Sequence, residues 1–327
     1  MPVRNMAMAS FGFWLAFSAN VVLGQTVSSG AGQVFPNKPI RIVTGETGGG
    51  LDLAARVISP VMLENTGQPV VVQNRGLATA PSLVSKARPD GYTLLLYGTP
   101  FWLAPFMRDD VAYDPVKDFA PITLVSTAPT VLVVHPSVAA GSVKELIAAA
   151  KAKPGQLNYA ASSAGSPSHL AGELFKAMAG VNIVAVPYKG AGPAMIALFS
   201  NEVQLTFAAA ASVTPHLKSG RLKVLAVTSA QPSGLFPGVP TVASSGLPGF
   251  QAGALIGMFA PVETPPAIIG RLNHEIVSVL ARADVREKFV NGGAEAVGST
   301  ARQFEIEMKT DMAVSGKVIK DAGIRGE

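Results

Sequence analysis

An α/β fold with a mostly parallel sheet is predicted by three features of the sequence. Short apolar runs, such as residues 40–43, 70–73 and 92–97, alternate with amphipathic stretches of helical spacing. Glycine and proline are abundant, with 33 and 25 residues, which suits the many short connections of such a fold. Hydrophobic residues make up 48% of the chain and charged residues 14%, so a large buried core is expected rather than disorder.

The first 24 residues are predicted to be a secretory signal peptide, and residues 25–33 a flexible leader. Arg4 precedes an apolar, uncharged stretch over residues 6–23, and Gly24 marks a plausible cleavage point. A single membrane anchor is the alternative, but Ser18 and Asn20 interrupt the run and no basic cluster follows it. Because the chain has no cysteine, export without disulfides indicates the periplasm.

The first half of the mature chain predicts alternating elements, each with a local reason. Leu51, Ala55, Ile58 and Met62 recur at helical spacing, and Ser142 with Glu145 forms a capping-box pattern at a helix start. The predicted strands lie at residues 40–43, 70–73, 92–97, 121–125, 130–134 and 157–160, and the helices at 51–65, 81–86, 142–151 and 167–179.

The second half continues the alternation to the end of the chain. Thr264 followed by two prolines indicates a helix start, and Thr300 with Gln303 gives a second capping box. The predicted strands lie at residues 183–187, 203–208, 222–228 and 255–260, and the helices at 193–199, after 212 as far as 218, at 265–280 and at 300–320.

Two loops stand between a strand and a helix start, where unpaired backbone N–H groups favour anions. The first contains Gly48, Gly49 and Gly50, and the second is the serine-rich segment at residues 161–169. A plain tight turn is the alternative for the glycine loop. Asp52 either stabilises the helix dipole or helps to bind a ligand.

The motifs of common enzymes are not found in this sequence. Ser163 or Ser166 could pair with His169, but no orienting acid stands near them in sequence, so catalysis there is not expected. The four histidines lack metal-ligand spacing, and the glycine loop lacks the pattern of a nucleotide site. A net charge of +5 without basic runs does not indicate a nucleic-acid partner.

Several short motifs follow one another along nearly the whole mature chain. They include Phe35-Pro36-Asn37-Lys38-Pro39-Ile40, Gly48-Gly49 with Asp52 and Arg56, Gly67-Gln68-Pro69 followed by Asn74-Arg75, Pro89-Asp90-Gly91-Tyr92, Tyr113-Asp114-Pro115, Val186-Pro187-Tyr188-Lys189-Gly190 and Val239-Pro240-Thr241. In this order they resemble the substrate-binding receptors of tripartite tricarboxylate transporters, the Bug or TctC-like receptors.

The resemblance implies a type II periplasmic binding-protein fold, with two α/β lobes, a ligand cleft and two crossover strands that join the lobes. Carried over to this sequence, lobe 1 comprises residues 34–133 plus 257–327 and lobe 2 residues 134–256. The crossovers are expected near residues 131–134 and 255–260.

The resemblance also implies that backbone amides, hydroxyls and ordered waters at the two loops hold a ligand carboxylate. No cofactor and no metal are expected. The ligand-binding residues expected on this basis are Thr47, Gly48, Gly49, Asp52, Thr99, Ser162, Ser163, Ala164, Gly165, Ser166, His169, Tyr188, Lys189 and Ala209.

This chain departs from the family pattern inside the first loop. The family usually has a small neutral residue where Glu46 stands, and proline and an aromatic or apolar residue at Thr44 and Gly45. If Glu46 faces the cleft, it repels a second carboxylate and favours a ligand with a cationic or donor group. Glu46 is therefore the candidate specificity residue.

The sequence therefore predicts a non-enzymatic, monomeric, periplasmic solute receptor. Its expected ligand is a small organic carboxylate or an amino-acid-like compound, and its expected partners are the membrane subunits of a tripartite tricarboxylate transporter. A periplasmic sensor input protein that docks on a signalling partner when liganded is the alternative.

Overall fold

A computed structural model of the protein describes residues 35–325 except residues 46, 77–78 and 163–164. The predicted signal peptide and leader lie outside the described residues, as do Glu46, Ser163 and Ala164 of the predicted site. Within the part of the chain that is described, no helix is both long and apolar enough to cross a membrane.

Two separate β-sheets organise the chain. The first has six strands in the order β11-β4-β10-β3-β1-β2, and the second five in the order β7-β6-β8-β5-β9. The first comprises β1 (Ile40–Thr44), β2 (Val70–Asn74), β3 (Thr93–Gly98), β4 (Phe119–Ala128), β10 (Ala254–Pro261) and β11 (Glu295–Ala296). The second comprises β5 (Thr130–Val134), β6 (Asn158–Ala161), β7 (Val184–Pro187), β8 (Leu205–Ala209) and β9 (Lys223–Val227).

Helices cover both sheets, and several of them begin or end at capping residues. Gly67 and Gly180 adopt left-handed conformations that close α1 and α5, and Thr300 and Gln303 form the predicted capping box of α10. The helices are α1 (Gly50–Thr66), α2 (Thr79–Ser85), α3 (Thr99–Met107), α4 (Val143–Ala152), α5 (Pro167–Ala179), α6 (Ala191–Phe199), α7 (Ala210–Val213), α8 (Pro266–Ala281), α9 (Ala283–Asn291) and α10 (Ala301–Asp321).

Each sheet is buried on both faces, which is why its strands read as continuous apolar runs. Along β3, Leu94 and Leu96 pack in one cluster with side chains of α1 and α8, whereas Leu95 and Tyr97 pack in another with α3 and α10. The second sheet has the same arrangement, with α4 and α5 on one face and α6 and α7 on the other. The predicted α/β two-lobe binding-protein fold is confirmed, one lobe around each sheet. The predicted mostly parallel sheet is wrong, because β10 runs antiparallel to both β3 and β4, and β5 runs antiparallel to both β8 and β9. Each of these strands enters its sheet from the other lobe, so its direction is not set by a local strand–helix–strand unit.

The chain passes between the two sheets at two neighbouring places. Only Pro129 separates β4 from β5, and the return runs from the end of β9 to the start of β10. Thr228 links the two passages: its Oγ1 lies 2.8 Å from the Thr130 carbonyl oxygen and 2.9 Å from the Ala252 carbonyl oxygen. The predicted crossover positions, residues 131–134 and 255–260, fall in β5 and β10, just after the two passages rather than at them. The exact lobe boundaries stay a prediction.

The strand registers bring the carboxyl ends of the parallel strands in both sheets to this joint. Gly98, at the end of β3, pairs with Ile256 of β10, and Ala254 pairs with Ala128 of β4. On the other side of Pro129, Thr130 pairs with Ala209 at the end of β8. Ligands of open α/β sheets bind at the carboxyl ends of strands, so both sheets offer their binding edge to the same region.

Candidate functional site

The first candidate loop, residues 45–49, connects β1 to the start of α1. Gly48 has a φ of +86°, a conformation that residues with a Cβ rarely adopt. Gly49 occupies the N-cap position with extended backbone and makes no side-chain cap. Among the described residues no side chain caps the first turn of α1, which leaves this helix start open to an anion.

Asp52 organises this loop from inside. Its side chain is 4% exposed, and its carboxylate accepts hydrogen bonds from Gly48 N (3.0 Å), Arg56 Nε (2.9 Å) and Asn74 Nδ2 (2.9 Å). The same Asn74 amide also donates to Gly45 O at 2.7 Å. The bond from Arg56, followed by those from Gly48 and Asn74, lowers the pKa of Asp52 to about 2. Asp52 thus holds both ends of the loop and stays ionised.

Thr99 begins α3, directly after β3. Its hydroxyl accepts a hydrogen bond from Leu255 N at 3.0 Å and is buried. A Cβ on Gly98 would come within 2.9 Å of Leu255 O, so glycine is required where β3 meets β10. The same Cβ would lie 3.8 Å from Leu51 Cδ2, which places the start of α1 against this crossing.

The second candidate loop connects β6 to α5 and carries a network of serine hydroxyls. Ser168 Oγ accepts from Ser162 N at 2.9 Å and lies 2.9 Å from Ser162 Oγ and 3.0 Å from Ser166 Oγ. Ser166 caps α5 by accepting from His169 N at 3.3 Å. Sequence reasoning missed Ser168, although its place in the first turn of the helix could have identified it.

His169 supports the same loop through its ring. Its Nδ1 accepts a hydrogen bond from Gly165 N at 3.1 Å, and Gly165 has a φ of +70°. Burial lowers the pKa of His169, so the ring is neutral at pH 7 with Nδ1 as an acceptor. An Nδ1 that already accepts from a backbone N–H does not serve as the base of a serine nucleophile.

The remaining predicted residues fall into two groups. Ala209, at the end of β8, lies beside Ser162 on the wall of one cavity, described below. Tyr188 donates its hydroxyl to Glu202 at 2.9 Å; burial and this bond together raise its pKa to about 12. Lys189 is exposed next to it.

A third segment, after α9, also reaches the joint, and sequence reasoning missed it. A Cβ on Gly293 would lie 3.2 Å from Ala211 Cβ, at the start of α7 in the second lobe. Glu295 accepts hydrogen bonds from Ser233 Oγ (3.1 Å) and Gly234 N (2.6 Å). These contacts fasten the edge strand β11 of the first lobe to the second lobe.

The cavity between the starts of α5 and α6, here named the lobe-2 cavity, has a volume of about 100 Å³. It lies at the carboxyl end of the second sheet. Its walls include the hydroxyl side chains Thr130, Ser162, Ser168 and Thr206, and apolar side chains such as Met195 and Phe207. The structure thus brings the serine loop, the end of β8 and the joint around one small space.

Comparisons with a family profile and with individual proteins identify the same family for this chain. The profile described as "Tripartite tricarboxylate transporter family receptor" matches residues 54–324. Protein BugT of Bordetella pertussis is 35% identical over 297 residues, which are 89% of this chain and 91% of BugT.

Two solved structures share the fold over nearly their whole length. Rpa4515 of R. palustris with adipate is 33% identical, with a TM-score of 0.68, and the match covers 89% of this chain and 99% of that chain. A TctC solute-binding protein from Polaromonas, solved with no ligand, is 25% identical, with a TM-score of 0.81, and the match covers 88% of this chain and 99% of that chain. Family members are periplasmic solute receptors, and one of them binds the carboxylate adipate. The chain belongs to the tripartite tricarboxylate transporter receptor family, the TctC or Bug receptors.

Proposed function

We propose that this protein is an extracytoplasmic receptor that binds a small carboxylate-bearing metabolite between its lobes and delivers it to the membrane subunits of a tripartite tricarboxylate transporter. One observation carries the proposal. Each lobe contributes one loop that leads from a strand into a helix start, and both loops lie at the joint between the sheets. Such a pair can hold one carboxylate from two sides with backbone N–H groups and hydroxyls.

In this proposal, the residues of the two loops have different tasks. Thr47, Gly48 and Gly49, together with Ser162 and Ser166, contact the carboxylate, since their backbone and hydroxyl groups are at or near the two helix starts. Asp52 and His169 position the loops, because their polar atoms already bind Gly48 and Gly165. An ionised Asp52 that contacted a carboxylate directly would repel it.

The structure is more similar to a ligand-free family member than to the adipate complex. The TM-score is higher with the ligand-free Polaromonas receptor than with the adipate complex, 0.81 against 0.68, although its sequence identity is lower. Lobe closure on ligand would then give the transporter subunits a distinct surface to recognise.

The test is thermal unfolding of the exported form with a panel of organic acids and amino acids, each paired with its uncharged amide. A ligand at a hundred times its Kd stabilises by about 2.7 kcal/mol, which raises the Tm of a chain of this size by several degrees. We expect acids to raise the Tm and their amides to leave it unchanged. Equal shifts by acids and amides, or no shift with any acid, would contradict the proposal.

A further inference from the structure

We propose that the lobe-2 cavity receives an uncharged, apolar part of the ligand, so that the preferred ligand is a monocarboxylate with a compact branched body. This inference rests on the proposed function, because it assigns the part of the ligand that lies beyond the carboxylate. It makes this receptor differ from its adipate-binding relative, whose ligand carries a charge at each end.

The first argument is that three of the four hydroxyl side chains around the cavity are already engaged, and that the fourth, Ser162, contacts the carboxylate in the proposed function. Thr206 Oγ1 donates to Ala160 O at 2.9 Å, and Thr130 Oγ1 lies 2.9 Å from Thr228 Oγ1. Ser168 Oγ has three polar partners within 3.0 Å, which fills the bonding capacity of a hydroxyl. The threonine hydroxyls therefore already have partners within the protein.

The second argument is that the other walls are apolar and uncharged. They consist of Pro167, of small alanines at the start of α6 and the end of β8, and of two larger side chains, Met195 and Phe207. None of the described residues that line the cavity carries a charge. A second carboxylate placed there would find no cation, and in the proposed function the helix-start groups nearby already hold the first carboxylate, so the loss of its hydration would not be compensated.

The third argument is size. An apolar cavity of about 150 Å³ accommodates a benzene molecule. The 100 Å³ of the lobe-2 cavity therefore suits a smaller group, about three to five carbons. Met195 has three rotatable bonds, so the cavity can adapt to a branched body.

The experiment measures Kd by calorimetry on the exported protein for two series of acids. One series is acetate, propionate, isobutyrate and isovalerate; the other is malonate, succinate and glutarate. Each carbon that enters the cavity should tighten Kd by about fourfold. We expect the branched monocarboxylates to bind more than about tenfold tighter than dicarboxylates of equal carbon number.

Two variants of the cavity wall act in opposite directions. Ala194→Leu fills the cavity and should weaken isovalerate binding while leaving acetate binding unchanged. Met195→Ala enlarges it and should move the optimum toward longer acids. Both side chains are nearly buried, so the Tm of each ligand-free variant establishes first that it folds. The two variants change the cavity volume in opposite directions, so if one of them does not fold, the other still tests the assignment of the cavity.

The possible outcomes are distinguishable. If the dicarboxylates bind best, the inference is wrong and the proposed function stands. If Lys189→Met then removes their higher affinity, the second carboxylate binds at the exposed lysine. If the monocarboxylates bind but neither variant changes the order of affinities, the cavity assignment is wrong. If no acid of either series binds, the inference fails together with the proposed function.

Discussion

Replacing Asp52 with alanine tests whether this residue positions the first loop or contacts the ligand. The substitution removes the acceptor of three donors: the Gly48 N–H, the Arg56 guanidinium and the Asn74 amide. If Asp52 positions the loop, both the folding stability and the ligand affinity should fall. If it contacts the ligand, the affinity alone should fall.

The magnitude follows from the partners that are left behind. A hydrogen bond to a charged group contributes roughly 1.5–3 kcal/mol. Arg56 is 56% exposed and Gly48 is exposed, so water replaces much of what these two donors lose. The partly buried Asn74 amide has no such replacement. We therefore expect Asp52→Ala to lower the free energy of unfolding by about 2 kcal/mol, or the Tm by roughly 5 °C.

The assay is urea unfolding together with ligand titration of Asp52→Ala and three further variants. Asn74→Ala should reproduce much of both losses, and the double variant should lose less than the sum of the two, because the residues share one bond. Asp110→Ala, which breaks an exposed ion pair with Arg108, is the matched control and should change neither quantity. An Asp52→Ala protein of normal stability that no longer binds would refute the positioning role.

Three further predictions concern pH and packing. The pKa of Asp52 is about 2, below the value near 3.9 of an unfolded aspartate. The ionised Asp52 carboxylate therefore stabilises the fold above about pH 4, and this stabilisation is lost as the pH falls to 2. The urea midpoints of the wild type and of Asp52→Asn should converge near pH 2. Burial also lowers the pKa of His169 below that of an unfolded histidine, so the contribution of this residue to stability should decline as the pH falls below about 6.5, and an NMR titration placing the ring above 6.5 would contradict this. Gly257→Ala puts a Cβ 1.9 Å from the Phe304 ring and should destabilise by about 3 kcal/mol, with partial rescue by Phe304→Leu in the same urea assay.

Most of the fold could be predicted because its strands are buried on both faces. Leu94, Leu95 and Leu96 form an unbroken apolar run within the predicted strand at residues 92–97, and the ends of this predicted strand differ from those of β3 by one residue. The helices that were missed lack a periodic pattern. In α3, Phe101, Trp102 and Leu103 are all buried, so the helix has no polar face. Pro105 lies inside it, and a proline at that position predicts a loop rather than a helix. In α9 only Val285 and Phe289 are buried, one helical turn apart, which is a weak signal.

The helix predicted after residue 212 proved much shorter than expected. The structure has a single turn, α7, followed by a 3-10 turn over Thr214–His216. Pro215 prevents the chain from continuing as an α-helix.

The predicted capping box at Ser142 is half correct. Ser142 accepts a hydrogen bond from Glu145 N, but the Glu145 carboxylate accepts one from Gly141 N instead of from the N-cap backbone.

The two candidate loops could be predicted from local sequence, whereas their internal bonds could not. Each loop, at residues 45–49 and 162–166, lies in one short segment that contains a strand, small residues and a helix start, so local sequence is enough to predict it. The bond from Asn74 to Asp52 joins residues 22 positions apart. It depends on the parallel register that aligns Thr44 with Asn74, and no short motif encodes that register.

The connection of the two sheets has a consequence for the order in which the protein assembles. The second sheet uses one continuous stretch of chain, from Thr130 to Val227. The first sheet is completed only when β10 inserts between β3 and β4, where Phe259 pairs with Leu95 across more than half of the chain. Closing so long a loop is slow compared with pairing nearby strands. The second lobe can therefore form early, while the first lobe, whose core needs Phe304 and Ile319 of α10, waits for the last segment of the chain.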